Sequence, residues 1–141
     1  MAKKARDIME TGIEFVSADD TVTDAAKKMA KHDVGALPIC NEQKRLEGMI
    51  TDRDIAIKVV AKGKDPKKTS VRDIADQPEV ITIGADDSID EALQTMKDGK
   101  VRRLPVIDGR QVVGIISQGD LAINLPDDKV GELVEAISAA P

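Results

Sequence analysis

Apolar positions along this chain fall into two matched series. Val22, Ala25, Ala26 and Met29 recur as Ile89, Ala92, Leu93 and Met96, both at i, i+3, i+4, i+7. That spacing lays one apolar stripe along an amphipathic helix. A hydroxyl and, three residues on, an acid precede each stripe: Thr21 with Asp24, and Ser88 with Glu91. This is the signature of a capping box. Gly99 is expected to close the second helix in the left-handed conformation, with His32 in the equivalent place of the first. Residues 13–16 and 80–83 have strand character. Two short strands follow each helix: 34–40 with 46–50, and 101–107 with 112–116. A further helix starts at Thr51 or Ser117. The pattern predicts β-α-β-β-α, twice, an α/β (α+β) fold.

The duplication extends to sequence detail. Leu37-Pro38-Ile39 returns as Leu104-Pro105-Val106, and Gly48-Met49-Ile50-Thr51-Asp52-Arg53-Asp54 as Gly114-Ile115-Ile116-Ser117-Gln118-Gly119-Asp120. The offset is 67 residues from Met29/Met96 to Pro38/Pro105 and 66 from Gly48/Gly114 to Asp54/Asp120, which confines the slip to one loop. Such a repeat predicts a pseudo-two-fold unit with two related clefts at the seam. The expected organisation is a first repeat at 1–65, a second at 66–125 and a C-terminal helix at 126–141. Residues 61–69, with Gly63 and Pro66, read as a linker.

Composition narrows the function. The chain has 41% hydrophobic residues, but Phe15 is its only aromatic, so a planar ligand must lie between aliphatic side chains and prolines. A net charge of −5 argues against a nucleic-acid partner. The basic cluster Lys58, Lys62, Lys64, Lys67, Lys68 and Arg72 reads as a solvated linker. No apolar run reaches the ~20 residues a membrane helix needs. No secretory signal is visible behind residues 1–6, and Cys40 is the single cysteine. A cytoplasmic location is expected. With one histidine and one cysteine, neither a catalytic relay nor a metal site is expected.

Thr51-x-x-Asp54 and Ser117-x-x-Asp120 admit two readings. Each can cap a helix. Each also directly follows a strand ending Gly-apolar-apolar, which puts a helix start at the carboxyl edge of a sheet, where α/β folds bind ligands. The hydroxyl and free N–H groups there suit phosphate, and a short carboxylate can accept from both hydroxyls of a ribose. Gly48 or Gly114 would let a ligand approach the backbone. Arg53, Arg102 and Arg103 fit either surface ion pairs or phosphate contacts.

These doubled motifs, in this order and spacing over residues 5 to 125, resemble a pair of CBS domains, the regulatory modules named after cystathionine β-synthase. The likeness is to the small stand-alone bacterial members. It implies a pseudo-two-fold CBS pair that binds adenosine-containing ligands (AMP, ADP, ATP, NAD or S-adenosylmethionine). It implies no required cofactor and no chemistry of its own. Carried over by position, Thr51 and Ser117 would contact phosphate or ribose, and Asp54 and Asp120 the ribose hydroxyls. The base would lie among Ile13, Ala36, Leu37 and Pro38 in one cleft, and Val80, Leu104 and Pro105 in the other. Gly119 replaces the basic Arg53 of the first copy, whereas Arg102 and Arg103 stand where the first copy has Gly35 and Ala36. Output would pass through a protein partner or a homodimer formed by the stripe Ile55, Ile57, Val59, Val60, Leu121, Ile123 and Leu125. The rival reading is a ligand-free structural or stress-response protein in which the motifs only cap helices.

Overall fold

The computed structural model describes residues 3–75 and 80–139. In chain order the elements are α1 (Ala5–Ile8), α2 (Val22–His32), β1 (Ala36–Cys40), β2 (Leu46–Thr51), α3 (Asp52–Ile55), α4 (Val71–Ile74), β3 (Ile83–Gly84), α5 (Ile89–Gly99), β4 (Arg103–Asp108), β5 (Gln111–Ser117), α6 (Gln118–Asn124) and α7 (Asp127–Ser138). A single π-helical turn, Ala56–Val60, continues α3, and the Ala61 N–H donates to the Ala56 carbonyl at 2.9 Å.

Two compact units result, and they do not coincide with the sequence repeats. One comprises Glu14–Val80; the other joins Met1–Ile13 to Ile81–Pro141. The leading segment of each repeat is therefore built into the unit of the other. Backbone hydrogen bonds explain the exchange. The Ala5 and Arg6 N–H groups donate to the Asp87 and Ala85 carbonyls, and, in parallel fashion, those of Val71 and Arg72 to Asp20 and Ala18. Ala5 is fully buried in one core, and Val71, Ile74 and Ala75 in the other. Relative to the expected repeats at 1–65 and 66–125, the compact units exchange their N-terminal turns.

In the Glu14–Val80 unit, β1 and β2 pair antiparallel, with Ala36 opposite Thr51 and Leu37 opposite Ile50. Val22, Ala25 and Met29 of α2 pack onto Val16, Leu37, Ile39, Ile50 and Val59. In the other unit β3, β4 and β5 form one sheet, β3 parallel and β5 antiparallel to β4. Pro105 is tolerated in that central strand because β3 pairs only with Val106 and Ile107, beyond the missing donor. Ala92, Leu93 and Met96 of α5 and Leu133 and Ile137 of α7 complete this core. The predicted strands at 13–16 and 80–83 shrink to a single bridge between Val16 and Ile39 and to the two residues of β3.

Helix ends follow the local code, displaced by one residue at the C-termini. Thr21 and Asp24 form a complete capping box, and Ser88 accepts from the Glu91 N–H. The left-handed caps are Asp33 (φ 53°) and Lys100 (φ 52°), not His32 and Gly99. Gly99 is instead the last helical residue, where a Cβ would lie 2.5 Å from Ile81 Cδ1. Its missing side chain serves packing, not backbone conformation. The one-residue slip between repeats lies in the hairpin loops. Gly109 (φ 65°) makes a tight turn in one, whereas Asn41 Oδ1 accepts from the Gln43 and Arg45 N–H groups across a longer loop in the other.

Candidate functional site

The β2–α3 and β5–α6 junctions use the same four atoms. Thr51 Oγ1 accepts from the Asp54 N–H at 3.1 Å, and Asp54 Oδ2 from the Thr51 N–H at 3.0 Å. Ser117 Oγ accepts from the Asp120 N–H at 3.1 Å, and Asp120 Oδ2 from the Ser117 N–H at 2.8 Å. Both motifs are therefore complete capping boxes. This geometry leaves the second carboxylate oxygen, Oδ1, outside each box.

The two junctions differ at that oxygen. In the first repeat Lys58 Nζ lies 3.4 Å from Asp54 Oδ1 and donates to the Ile74 carbonyl at 3.0 Å. In the second the equivalent position is Asn124. Its amide donates to the Asp120 backbone carbonyl at 2.7 Å and its oxygen accepts from Lys3 Nζ at 2.8 Å. Nothing among the described residues pairs with Asp120 Oδ1. Neither Lys58 nor Asn124 was singled out for the site from sequence, although both stand at i+4 from the acid, within reach on a helix. In sequence Lys58 belongs to the basic linker cluster. Of that cluster, Arg72 pairs with Asp19, and Lys62, Lys64, Lys67 and Lys68 are exposed.

Strand register sorts the remaining candidates by face, because residues opposite each other in an antiparallel pair project to the same side. Ala36 opposite Thr51 and Pro38 opposite Met49 share the hydroxyl's face; so do Arg103 opposite Ser117 and Pro105 opposite Ile115. Leu37 and Leu104, expected beside a base, project to the other face and pack in the two cores, 2% and 0% exposed. Arg103 is half-buried, and Arg102 and Arg53 are exposed. None of the three guanidinium groups has a hydrogen-bond or ion-pair partner among the described residues, and the Arg53 backbone N–H donates to Asp52 Oδ1 at 2.8 Å. Ile13 and Val80 each fall in the opposite unit from the residues they were expected to join.

One further expectation changes. Gly114 does not serve ligand approach: a Cβ there would lie 2.5 Å from Met9 Sδ and 2.8 Å from the Glu10 carbonyl oxygen. The glycine admits the chain after α1, which bridges Glu10 to Ile115. Cys40 is buried, and that burial, with Glu47 nearby, pushes its thiol up to about 11. The free thiol therefore stays protonated at neutral pH, as suits a packed side chain.

Hypoxic response protein 1 of Mycobacterium tuberculosis is 44% identical over 133 residues, covering 94% of this chain and 92% of that protein. A crystal structure of hypoxic response protein I with two coordinated zinc ions superposes with a TM-score of 0.80 at 44% identity, covering 88% of this chain and 100% of the other. The CBS domain pair of protein MJ0100, in complex with 5′-methylthioadenosine and S-adenosyl-L-methionine, superposes with a TM-score of 0.77 at 30% identity, over 88% and 96% of the two chains. Among the described residues no three of His, Cys, Asp and Glu come together around a common point, and His32 pairs with Glu14 at 3.5 Å. The CBS domain model matches twice, at residues 5–61 and 71–127, in register with the repeats. The chain belongs to the CBS domain family, as a tandem pair.

Proposed function

We propose that this protein is a non-catalytic sensor of adenosine-containing ligands, acting in the cytoplasm through its own assembly or a protein partner. The observation that carries the reading is the β5–α6 junction. There Asp120 Oδ1 is open to accept from ribose hydroxyls, and Arg103 lies directly across from Ser117 on one face, without an ion-pair partner among the described residues. A carboxylate for the sugar and a cation for phosphate, with the buried Pro105 on the same face of the strand pair as the hydroxyl, make a chemically matched set. The adenosine compounds held by the MJ0100 pair support this ligand class. The proposed contacts are Ala36, Pro38, Thr51, Arg53 and Asp54 in one repeat, and Arg102, Arg103, Pro105, Ser117 and Asp120 in the other. No helix among the described residues is long and apolar enough to cross a membrane.

A ligand that binds only the folded state adds about 2.7 kcal/mol at 100 times its Kd. For a chain of this size AMP, ATP or S-adenosylmethionine at such excess should raise Tm by several degrees. No shift with any adenosine compound at millimolar concentration would refute the proposal. It would favour the ligand-free reading, whose support is that the hydroxyls and carboxylates already satisfy helix ends.

Homodimerisation is part of the proposal, on a smaller surface than the sequence suggested. Val59, Leu121 and Leu125 are core residues and Ile55 packs against the core, whereas Ile57, Val60 and Ile123 are 49%, 70% and 83% exposed. Exposed branched aliphatics of this size are what a second copy would cover. Light scattering at micromolar concentration should give twice the 15.1 kDa chain mass; a monomer would remove the claim.

A further inference from the structure

We infer that Lys58 occupies the sugar-binding oxygen of the first repeat, so that adenosine ligands fill the Asp120 site first. This deepens the proposed function and rests on it. Asp54 and Asp120 are equivalent in sequence and in capping geometry, yet only Asp54 has its outer oxygen engaged by a cation. Lys58, within the π-helical turn, lies 3.4 Å from Asp54 Oδ1 and donates to the Ile74 carbonyl at 3.0 Å. The Asp54 side chain is 16% exposed, the most sheltered carboxylate in any ion pair among the described residues. Shelter from water weakens screening, so the ammonium competes effectively for that oxygen. A ribose entering beside Thr51 must displace or share it. In the second repeat the Asn124 amide donates to the Asp120 backbone carbonyl and its oxygen holds Lys3 Nζ, so neither group is paired with Asp120 Oδ1. The charge balance points the same way. Asp52, Arg53, Asp54 and Lys58 sum to zero at the first junction, whereas Arg102, Arg103 and Asp120, with Lys3 held on Asn124, leave two positive charges at the second to meet phosphate.

The test is calorimetric titration with adenosine and with AMP on the full chain, its Lys58→Met variant and the Asp54→Asn and Asp120→Asn variants. Methionine keeps the aliphatic stem and removes the charge. Lys58→Gln, which can still donate to the Ile74 carbonyl, replaces it if melting shows misfolding. The expected result is one strong site per chain, weakened at least about 10-fold by Asp120→Asn and little changed by Asp54→Asn. Lys58→Met should strengthen a second adenosine site by about 10-fold, and Asp54→Asn in that background should remove it. Three results would overturn the inference while leaving the adenosine reading intact: no gain for adenosine in either Lys58 variant, loss of AMP but not adenosine binding in them, or a wild-type site sensitive to Asp54→Asn instead of Asp120→Asn. Absence of binding in every protein would refute the adenosine reading, and this inference with it.

Discussion

The Asp120→Asn protein is expected to fold almost as well as the parent yet bind adenosine ligands about 10- to 150-fold more weakly. The structure makes this separation possible because the two carboxylate oxygens have different tasks. Oδ2 accepts from the Ser117 N–H at 2.8 Å, a bond an amide oxygen can keep. Oδ1 is the proposed acceptor for ribose, and asparagine puts a donor there. The stability cost is limited to the lost charge in the first helical turn, about 0.3–1 kcal/mol. Asp120→Ala removes the cap as well and should cost about 1 kcal/mol. Melting curves read against AMP calorimetry on the two variants distinguish the roles. A loss of affinity that tracks stability would make Asp120 a cap and nothing more.

Gly114→Ala should be among the most destabilising single-carbon additions in the protein. The new Cβ would meet Met9 Sδ at 2.5 Å, Met9 Cγ at 2.8 Å and the Glu10 carbonyl oxygen at 2.8 Å. Met9 can turn away, but the Glu10 carbonyl accepts from the Ile115 N–H at 3.1 Å and is fixed by that bridge. Overpacking of this kind costs about 1–3 kcal/mol, a drop of several degrees in Tm. Gly131 in α7 is the internal control, since a Cβ there meets nothing within 4 Å. Gly131→Ala should stabilise by about 0.5–1 kcal/mol through helix propensity. Equal effects of the two substitutions would show that backbone propensity, not the packing of the exchanged N-terminal turn, governs Gly114.

That contrast also marks the limit of what the sequence discloses. Features set within a few residues were legible: the caps at Thr21, Ser88, Thr51 and Ser117, the apolar stripes of α2 and α5, and the duplication that defines the family. The faces of β1 and β4 were not legible, because Ala36–Cys40 is apolar throughout and residues 104–107 form an unbroken apolar run, with no alternation to tell Leu37 and Leu104 from Pro38 and Pro105. Features set by distant chain were not legible. Gly99 reads as a left-handed cap until Ile81 is found beside it, and Gly114 reads as room for a ligand until Met9 fills the space. Repeat boundaries gave no sign that residues 5–8 pack with the second repeat and 71–74 with the first, because the hydrogen bonds that place them span dozens of residues. Lys58 lies between these cases. Its spacing from Asp54 was visible, but its anchoring by the Ile74 carbonyl required the fold.

The central claim is that the second-repeat junction is an adenosine site whose specificity resides in one carboxylate oxygen. Its most direct test is the AMP-induced change in Tm of the parent and of Asp120→Asn, measured side by side at the same ligand concentration. The account predicts a rise of several degrees in the parent and a much smaller one in the variant. An equal rise in both proteins, or none in the parent at millimolar AMP, would contradict it.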